Sequence, residues 1–441
     1  MTIIKEVISC SIIKPASPTP LRLQKYELLV HDRMTPDFYI PAIYFYPSPE
    51  QNPEWNPEQK VSGLLKRSLS KALSKYYPFA GRLSASGSFV NCNDEGVPFV
   101  EARIACKLSE MVGNTPDRDE EKGFGVLFPP GAVWEEVFCS RLMLVQLNRF
   151  SCGGIALAVS LSHRIADGVT ILSFLSYWAA LLRNCNDEGK VGHLEPCFVQ
   201  EVLPDDSLRG NGSVVIQFSA PKKNWTTREV VFHNSKIAQL KAYQVMQDRK
   251  RGIMDDQNYT RNELVTALLY RCSVAAAAAA DSGICPRTVL LQPVNMRSLI
   301  EPPLPQTSVG NLFVFNHTST STLEETRFNS LVAKLRKGKM QLRGIRSLHG
   351  KDKLPLMDKY AEMKCTKHYS ISSLCNFPLY DEMDFGWGRP VKAIIVDTPL
   401  VNSFMMMDTP SKDGINAIIA LEDEDMKYFL ADKELLAYAS V

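Results

Sequence analysis

The pair His163 and Asp167, at the ends of the stretch HRIAD, has residue types and a spacing that can support chemistry. An imidazole titrates near neutral pH and can take a proton from a hydroxyl group. Three interpretations fit this stretch taken alone. His163 is a core histidine and Asp167 a helix N-cap, or the two residues are part of a metal site, or His163 is a general base. The metal interpretation lacks a third and a fourth ligand nearby.

The residues around this pair predict the elements that must position it. Apolar residues alternate with small residues from Gly154 to Ser162, which is the period of a β-strand. Beyond Asp167, apolar residues from Ile171 to Leu182 fall on one helical face. His163 is therefore expected at a strand-to-helix turn, a place where a rigid scaffold commonly carries catalytic groups.

A second motif, DFGWG at residues 384–388, predicts a structural turn. Two glycines allow a tight backbone turn, and the large Trp387 ring is expected to pack over it and to be largely buried. Asp384 is the only residue of the motif with acid–base capacity. Its carboxylate is expected to bind nearby backbone N–H groups or an Arg, and to lie out of reach of His163.

Composition limits the class of protein. The chain has 441 residues, 45% hydrophobic and 22% charged, with a formal net charge of +2, which is typical of a soluble globular protein. No basic patch indicates nucleic-acid binding, and neither a membrane helix nor a secretory signal is predicted. The 11 cysteines are scattered without a CxxC pair, so free thiols in a reducing cytosol are expected.

The order of predicted elements indicates two α/β layers. A helical stripe starts at Val61, and residues 88–104 predict two strands around an Asn-Asp-Glu-Gly turn. A polar stretch at 184–213 is typical of a crossover loop, and we place a boundary near residue 200. Further on, residues 261–280 predict a long helix and residues 288–298 a buried strand.

Together the two motifs resemble the plant BAHD acyltransferases, whose signatures are HxxxD and DFGWG, and the resemblance covers nearly the whole chain. The segments IIKPASPTP, YYPFAGRL, VNMRS and GNLF also match this family. The resemblance implies an α/β fold of two similar domains, each a mixed sheet flanked by helices, with the active-site channel between them. The expected domains are residues 1–190 with HxxxD and 214–441 with DFGWG, joined by a crossover at 191–213.

The resemblance also implies the reaction. BAHD enzymes move an acyl group from an acyl-CoA thioester to an alcohol or amine, and His163 matches their general base. A thiol resembling that of cysteine, with a pKa of about 8.5, leaves without a strong general acid, so no second carboxylate is required. The oxyanion still needs hydrogen-bond donors, for which Ser372 and Ser373 are candidates. Acyl-CoA is then a co-substrate, and no metal or permanently bound cofactor is expected.

Supporting residues follow from the same resemblance. Asp167 is expected to point away from the channel and to form a buried ion pair with Arg297, which holds the turn that carries His163. Further residues implied are supports from the second motif and donor contacts from the second domain, namely Asp384, Gly386, Trp387, Thr260 and Ser373.

One departure from the family pattern concerns the acceptor. Many relatives have Ser-Trp-x-Arg where this chain has Ser373, Leu374, Cys375 and Asn376. Asn376 cannot pair with a carboxylate as Arg does, which disfavours an acidic acceptor. We expect a cytosolic, monomeric O-acetyltransferase that uses acetyl-CoA and acts on an alkaloid or terpenoid alcohol. The alternatives are an acyl-sugar acyltransferase that uses longer or branched acyl-CoA, and a catalytically silent binding protein.

Overall fold

The computed structural model describes residues 3–48, 57–113, 124–130, 140–184, 188–202, 224–252, 258–342, 367–395 and 400–441. The strands are β1 (Lys5–Ile13), β2 (Lys25–Glu27), β3 (Tyr39–Tyr46), β4 (Arg82–Leu83), β5 (Phe89–Asn91), β6 (Val97–Ile104), β7 (Met143–Phe150), β8 (Ile155–Ser162), β9 (Cys197–Phe198), β10 (Trp225–His233), β11 (Thr288–Asn295), β12 (Ser308–Val309), β13 (Phe313–Thr320), β14 (Lys367–Ser373), β15 (Lys392–Ile395), β16 (Ser403–Asp408) and β17 (Gly414–Glu422).

The helices are α1 (Val30–Met34), α2 (Pro57–Lys75), α3 (Leu108–Val112), α4 (Gly168–Arg183), α5 (Val199–Val202), α6 (Asn234–Lys250), α7 (Arg261–Ala280), α8 (Phe328–Leu342), α9 (Asp423–Leu430) and α10 (Lys433–Tyr438). Short 3₁₀ turns span Leu21–Leu23, Tyr77–Ala80, Gly125–Leu127 and Glu188–Leu194.

Two six-stranded mixed sheets organise these elements, as the sequence predicts. The first has the order β1-β6-β7-β8-β3-β15, in which β6 and β7 run parallel. The second has the order β10-β17-β16-β14-β11-β13, in which β14 runs parallel to both neighbours. Helices α2 and α4 pack on the first sheet, and α7 and α8 contribute to the core over the second. Each sheet therefore has its own hydrophobic core.

The strand and helix predicted around His163 are present. Strand β8 has eight buried residues, and it lies between β7 and β3 inside the first sheet. This explains why its small residues are buried as well as its large ones, since a central strand packs on both faces. Helix α4 starts at Gly168 and buries nearly its whole length. The position of the turn between them is thus fixed by two buried elements.

The two strands predicted within residues 88–104 form, but they lie in different sheets. Strand β5 pairs with β2 and β4, whereas β6 pairs with β1 and β7. The turn between them is bound elsewhere, because Asp94 accepts hydrogen bonds from the main chain and hydroxyl of Thr19, at 2.8 and 2.6 Å. The two predicted strands and the turn between them are therefore present, and a carboxylate of the turn binds another segment.

The interval predicted as an unstructured crossover contains secondary structure in its described part. The 3₁₀ turn Glu188–Leu194, strand β9 and helix α5 occupy it, and β9 pairs with β12. Residues 203–213 of the predicted crossover lie outside the described residues.

Two elements of the second half have positions that matter for the site. Strand β15 pairs with β3, so the chain returns to the edge of the first sheet after DFGWG. Helix α7 is long and apolar enough to cross a membrane, but 78% of its apolar window is buried inside the protein. Its packing against α8, α9 and β14 is that of a core helix.

Candidate active site

His163 lies directly after β8, at the turn into α4. Its main-chain N–H donates to the Phe38 carbonyl over 2.8 Å, and its own carbonyl accepts from Asn311 Nδ2 over 2.6 Å. The imidazole packs edge-on against the Phe38 ring, with centroids 5.2 Å apart, and lies 6.4 Å from the Phe313 ring. Phe38 precedes the first sheet's β3, whereas Phe313 begins β13 of the second sheet. The imidazole therefore lies at the junction of the two halves.

Burial sets the charge of the His163 imidazole. Removal from water disfavours the imidazolium ion and lowers the pKa of His163 below 6.5, although the negative charge of Asp167 opposes this effect. Its Nδ1 is buried and has no hydrogen-bond partner among the described residues. A neutral imidazole keeps one ring nitrogen able to accept a proton. At neutral pH the group is thus in the form that a general base requires.

Asp167 has three hydrogen-bond partners that hold the turn. Its Oδ1 accepts from the Thr170 N–H over 2.8 Å, which is an N-cap of α4. Its Oδ2 accepts from the Leu312 N–H over 3.0 Å, and both oxygens accept from the Arg297 guanidinium, at 2.8 and 3.0 Å. Burial alone would raise the pKa of Asp167, but the Arg297 charge and these bonds hold it below 3.8. The ionised carboxylate of Asp167 therefore forms both the N-cap and the ion pair.

Arg297 is completely buried and follows the end of β11. Besides Asp167, its guanidinium donates to the carbonyls of Ser308 and Gly310, at 2.8 and 3.2 Å, and to the Thr170 hydroxyl at 3.0 Å. A planar guanidinium can satisfy several fixed acceptors at once. The ion pair expected from the sequence is present, and it joins the second half of the chain to the start of α4.

The segment 310–312 is part of the site, although sequence reasoning used it only as a family match. Gly310 has a φ of +129°, and a Cβ there would lie 2.9 Å from the Leu29 side chain. Only glycine fits this close approach without strain. Asn311, with no exposed surface, holds the His163 carbonyl. The glycine in GNLF was the one signal in the sequence that marked a special backbone here.

The DFGWG turn is structural. Asp384 Oδ1 accepts from the N–H groups of Gly386 and Gly388, at 2.7 and 2.9 Å, and both glycines have positive φ. Arg389, which follows the motif directly, pairs with Asp381 at 2.9 Å and not with Asp384. Among the described contacts none joins Asp384 to the imidazole. The Asp384 carboxylate thus closes its own turn.

The aromatic residues of this motif anchor it to the first half of the chain. Phe385 is completely buried and packs edge-on against Trp178 of α4 at 5.2 Å. Trp387 stacks on Phe385 at 5.7 Å and meets Tyr46 of β3 at 5.8 Å. Trp387 keeps only a minor exposed part and packs against the first core, which agrees with the expectation that it is largely buried. Phe385 points into that core, and Trp387 covers it.

The two residues predicted to contact the donor lie at the ends of their elements. Thr260 is the N-cap of α7, where its hydroxyl accepts from the Glu263 N–H over 3.2 Å and completes a capping box. Ser373 ends β14, and its hydroxyl accepts from the Cys375 N–H over 3.3 Å. Both hydroxyls therefore have structural roles already, and each keeps lone pairs or a proton for a ligand.

A cavity of about 410 Å³ opens next to Thr260, between α6, the start of α7 and the β16–β17 turn. Its lining contains the cationic residues Lys241, Arg261 and Lys412 together with Tyr259. Cationic side chains at a helix N-terminus form a favourable environment for an anion.

Asn376, where many relatives have Arg, contacts a residue that lines this cavity. Asn376 has a φ of +68°, its N–H donates to Asp408 over 2.6 Å, and its side-chain oxygen accepts from Arg261 over 3.3 Å. Arg261 also pairs with Asp408 at 2.9 Å. Upstream, Leu374 lies 3.2 Å from the position of a Cβ on Gly168, beside the His163 turn. The segment 374–376 therefore connects the turn carrying the base to the cationic cavity.

Comparison with known proteins places this arrangement in a family. Residues 4–436 match the model of the Transferase family. An N-malonyltransferase of 17,18-epoxy-17-hydroxycur-19-ene from Strychnos nux-vomica is 36% identical over 99% of this chain and 90% of its own length. Acylsugar acyltransferase 3 from Solanum lycopersicum is 32% identical over 98% of this chain and 97% of its own length.

A solved structure shows the same architecture. The crystal structure of vinorine synthase superposes with a TM-score of 0.83 and 30% sequence identity, covering 99% of each chain. The chain therefore belongs to this transferase family, the BAHD acyltransferases. It is an acyl-CoA-dependent acyltransferase, and its relatives act in plant specialised metabolism.

Proposed function

We propose that this protein transfers an acetyl group from acetyl-CoA to a hydroxyl of a plant alkaloid or terpenoid alcohol, with His163 as the general base. The observation that carries this proposal is a neutral, half-buried imidazole whose main chain is held by Phe38 on one side and Asn311 on the other. A general base needs both a suitable pKa and a fixed position. The relatives described above support the substrate class, since they include an alkaloid malonyltransferase.

The proposed reaction is a direct transfer. The acceptor hydroxyl attacks the thioester carbonyl while His163 takes its proton, and Nε2 is the nitrogen for this step because Nδ1 is buried. The tetrahedral intermediate then breaks its C–S bond, and the departing CoA sulfur recovers the proton from the imidazolium. Aromatic rings of Phe38 and Phe313 beside the imidazole favour a largely apolar acceptor. No carboxylate is needed in either proton transfer.

The test is a substrate screen with purified protein. Acetyl-, malonyl- and isobutyryl-CoA are each offered with a pool of polycyclic amine alcohols and, separately, with partly acylated sucrose. Mass spectrometry then shows which acceptor gains which acyl mass. Acetylation of the amine alcohols supports the proposal. Acylation of sucrose esters with isobutyryl-CoA alone would favour the second candidate, an acyl-sugar acyltransferase, to which the tomato relative points.

Initial-rate kinetics should show a ternary complex rather than an acyl-enzyme. Cys152 is an exposed thiol, but it lies beyond the opposite end of β8 from His163, roughly 26 Å away for eight strand residues. A thiol at that distance cannot pass an acyl group to a hydroxyl held by His163. Double-reciprocal plots at several acetyl-CoA levels should intersect, and Cys152→Ala should keep its turnover. Parallel lines, or one acyl mass on the intact protein, would contradict direct transfer.

We place the phosphates of the acyl-CoA donor in the cationic cavity beside Thr260. Because Lys241 and Lys412 face this cavity, the double variant Lys241→Ala/Lys412→Ala should raise the KM for acetyl-CoA about tenfold, equivalent to ~1.4 kcal/mol. The kcat should stay the same, since the two lysines belong to α6 and the β16–β17 turn, whereas His163 follows β8. Lys427→Ala removes an exposed lysine paired with Glu424 on α9 and is the matched control. An unchanged KM for acetyl-CoA in the double variant would show that the donor phosphates do not bind in this cavity.

The proposal includes a monomer in the cytosol. The cysteines in the described residues are free thiols, which suits a reducing compartment. Gel filtration coupled to light scattering tests the monomer, and a fluorescent fusion imaged in plant cells tests the compartment.

A further inference from the structure

A second carboxylate, Asp32, is buried close to the site and has no place in the proposed proton transfers. It lies in α1 and has no exposed surface. Its Oδ2 accepts from the Leu29 N–H over 2.9 Å, within its own segment. Its Oδ1 accepts from both the main-chain N–H and the side-chain Nδ2 of Asn311, at 2.7 and 2.9 Å. Two of its three hydrogen bonds thus cross to the other half of the chain.

The contact between Asp32 and Asn311 extends to the base. The same Asn311 Nδ2 that donates to Asp32 also donates to the His163 carbonyl, so one amide group connects the carboxylate to the imidazole turn. The next residue, Leu312, donates its N–H to Asp167. Two buried carboxylates of the first half therefore accept hydrogen bonds from consecutive N–H groups of one segment in the second half.

Residues 310–312 pack closely against Asp32, which makes the hydrogen bonds between them specific. A Cβ on Gly310 would lie 3.6 and 3.7 Å from the two oxygens of Asp32, besides its clash with Leu29. All three groups bound to the Asp32 carboxylate are N–H donors, which a carboxylate accepts and an amide or hydroxyl in its place cannot fully replace. Burial raises the pKa of Asp32 to about 6, so these donors still bind an ionised carboxylate at neutral pH. A helix cap alone would need only the Leu29 contact.

We propose that Asp32 is a positioning residue for acyl transfer, which fixes the His163 main chain through Asn311 and the segment 310–312. This inference rests on the proposed role of His163 as general base. Asp32 contacts no reacting atom, and its role is to fix the position of His163. Misplacement of a catalytic group by about 1 Å can lower the rate by about 10²-fold.

The first experiment is Asp32→Asn in the full chain, with acetyl-CoA and the acceptor found in the substrate screen. The amide keeps the volume of the side chain but turns an NH₂ group toward an N–H donor. At least one of the hydrogen bonds to the carboxylate is therefore lost. We expect kcat to fall about 10- to 100-fold, while the KM for acetyl-CoA changes less than about twofold. A residue with a purely structural role would lower the amount of folded enzyme, and kcat per folded molecule would not change. An unchanged kcat would overturn the proposal.

A double-mutant cycle tests whether Asp32 acts through Asn311. Asn311→Ala removes the connecting amide, and the double variant should lose no more activity than the more damaged single variant. If the two fold-losses multiply, Asp32 does not act through Asn311 and the proposal fails. If Asp32→Asn does not fold, Asn311→Ala decides alone. A kcat lowered at least tenfold there supports the connection, and a wild-type kcat contradicts it.

The matched control is Asp425→Asn. Asp425 is also buried, at 3% exposure, but it pairs with Lys367 at the start of β14, far from the end of that strand that approaches His163. The kcat per folded molecule of Asp425→Asn should equal that of the wild type. If Asp425→Asn loses as much kcat as Asp32→Asn, a general loss of rigidity would explain both results. Failure of the proposed function is recognised separately. If His163→Ala keeps its turnover, the base assignment is wrong, whereas an inactive His163→Ala with a fully active Asp32→Asn contradicts only the present inference.

Discussion

Replacement of His163 by alanine should lower kcat by about 10²- to 10⁴-fold, the usual contribution of a general base. The acceptor hydroxyl is a poor nucleophile until its proton is removed, and in the described part of the chain no other titratable side chain hydrogen-bonds to the imidazole. The variant should fold, because the main chain of residue 163 keeps its hydrogen bonds to Phe38 and Asn311. Turnover is measured by the release of free CoA, and folding by the thermal unfolding midpoint.

Two further measurements separate this role from a general effect of removing a histidine. His193→Ala changes an exposed histidine in the 3₁₀ turn Glu188–Leu194 and should leave kcat unchanged. A His163→Ala enzyme with near wild-type turnover would exclude the base. So would a zinc content in the wild type that the variant loses, since it would indicate metal chemistry.

The pH dependence of the rate has a defined sign. Burial lowers the pKa of His163 below 6.5, so the neutral, basic form predominates at pH 7 and is lost as the pH falls through that lowered value. The kcat/KM for the acceptor should therefore be flat near neutrality and decline on the acid side, below pH 6.5. A decline that starts above pH 7 would require a raised pKa and would contradict a neutral imidazole at this site.

The sequence was informative where chemistry depends on local pattern. Alternation up to Ser162 and helical periodicity after Asp167 located the turn, because each element buries a face whose period is visible in one segment. The partner of Asp167 was found through the family resemblance, since Arg297 is 130 residues away. Periodicity contains no information about which distant segments meet.

Two further features show the same limit. The strands around the Asp94 turn were predicted, but their place in different sheets and the bond from Thr19 to Asp94 are set by tertiary structure. Asp32 drew no notice, because one Asp in a short helix has no distinguishing pattern. The role of Asp32 becomes visible only in the folded structure, in which the Gly310 backbone lies against Leu29. Contacts between halves of the chain are thus the part of the site that sequence reasoning cannot supply.

Replacement of Arg297 by methionine should destabilise the protein by about 3–5 kcal/mol, the cost of leaving a buried charge without its partner. Arg297 has no exposed surface, and its removal leaves the Asp167 carboxylate, 5% exposed, with only the N–H groups of Thr170 and Leu312. Methionine keeps much of the side-chain volume, so the loss reports the charge and the hydrogen bonds of Arg297 rather than a cavity. Urea unfolding followed by tryptophan fluorescence measures it.

The sign of the pH dependence gives this prediction a second readout. Arg297 contributes to holding the pKa of Asp167 below 3.8 in the folded protein, so their pairing stabilises the fold above the unfolded pKa and is lost as the pH falls through the folded value. The stability gap between wild type and Arg297→Met should therefore be largest near neutral pH and should narrow in acid. A gap that is constant with pH would indicate lost packing instead.

The control is an ion pair of the same type in water. Arg103 and Glu6 lie 2.8 Å apart on the first sheet, with 53% and 64% of their side chains exposed. Solvent screens such a pair, so Arg103→Met should cost less than about 1 kcal/mol. The double variant Asp167→Asn/Arg297→Met should be more stable than the sum of its single changes predicts, because it removes the orphaned charge. Equal losses for Arg297→Met and Arg103→Met would show that burial adds nothing to the pair, and the turn that holds His163 would then need another explanation.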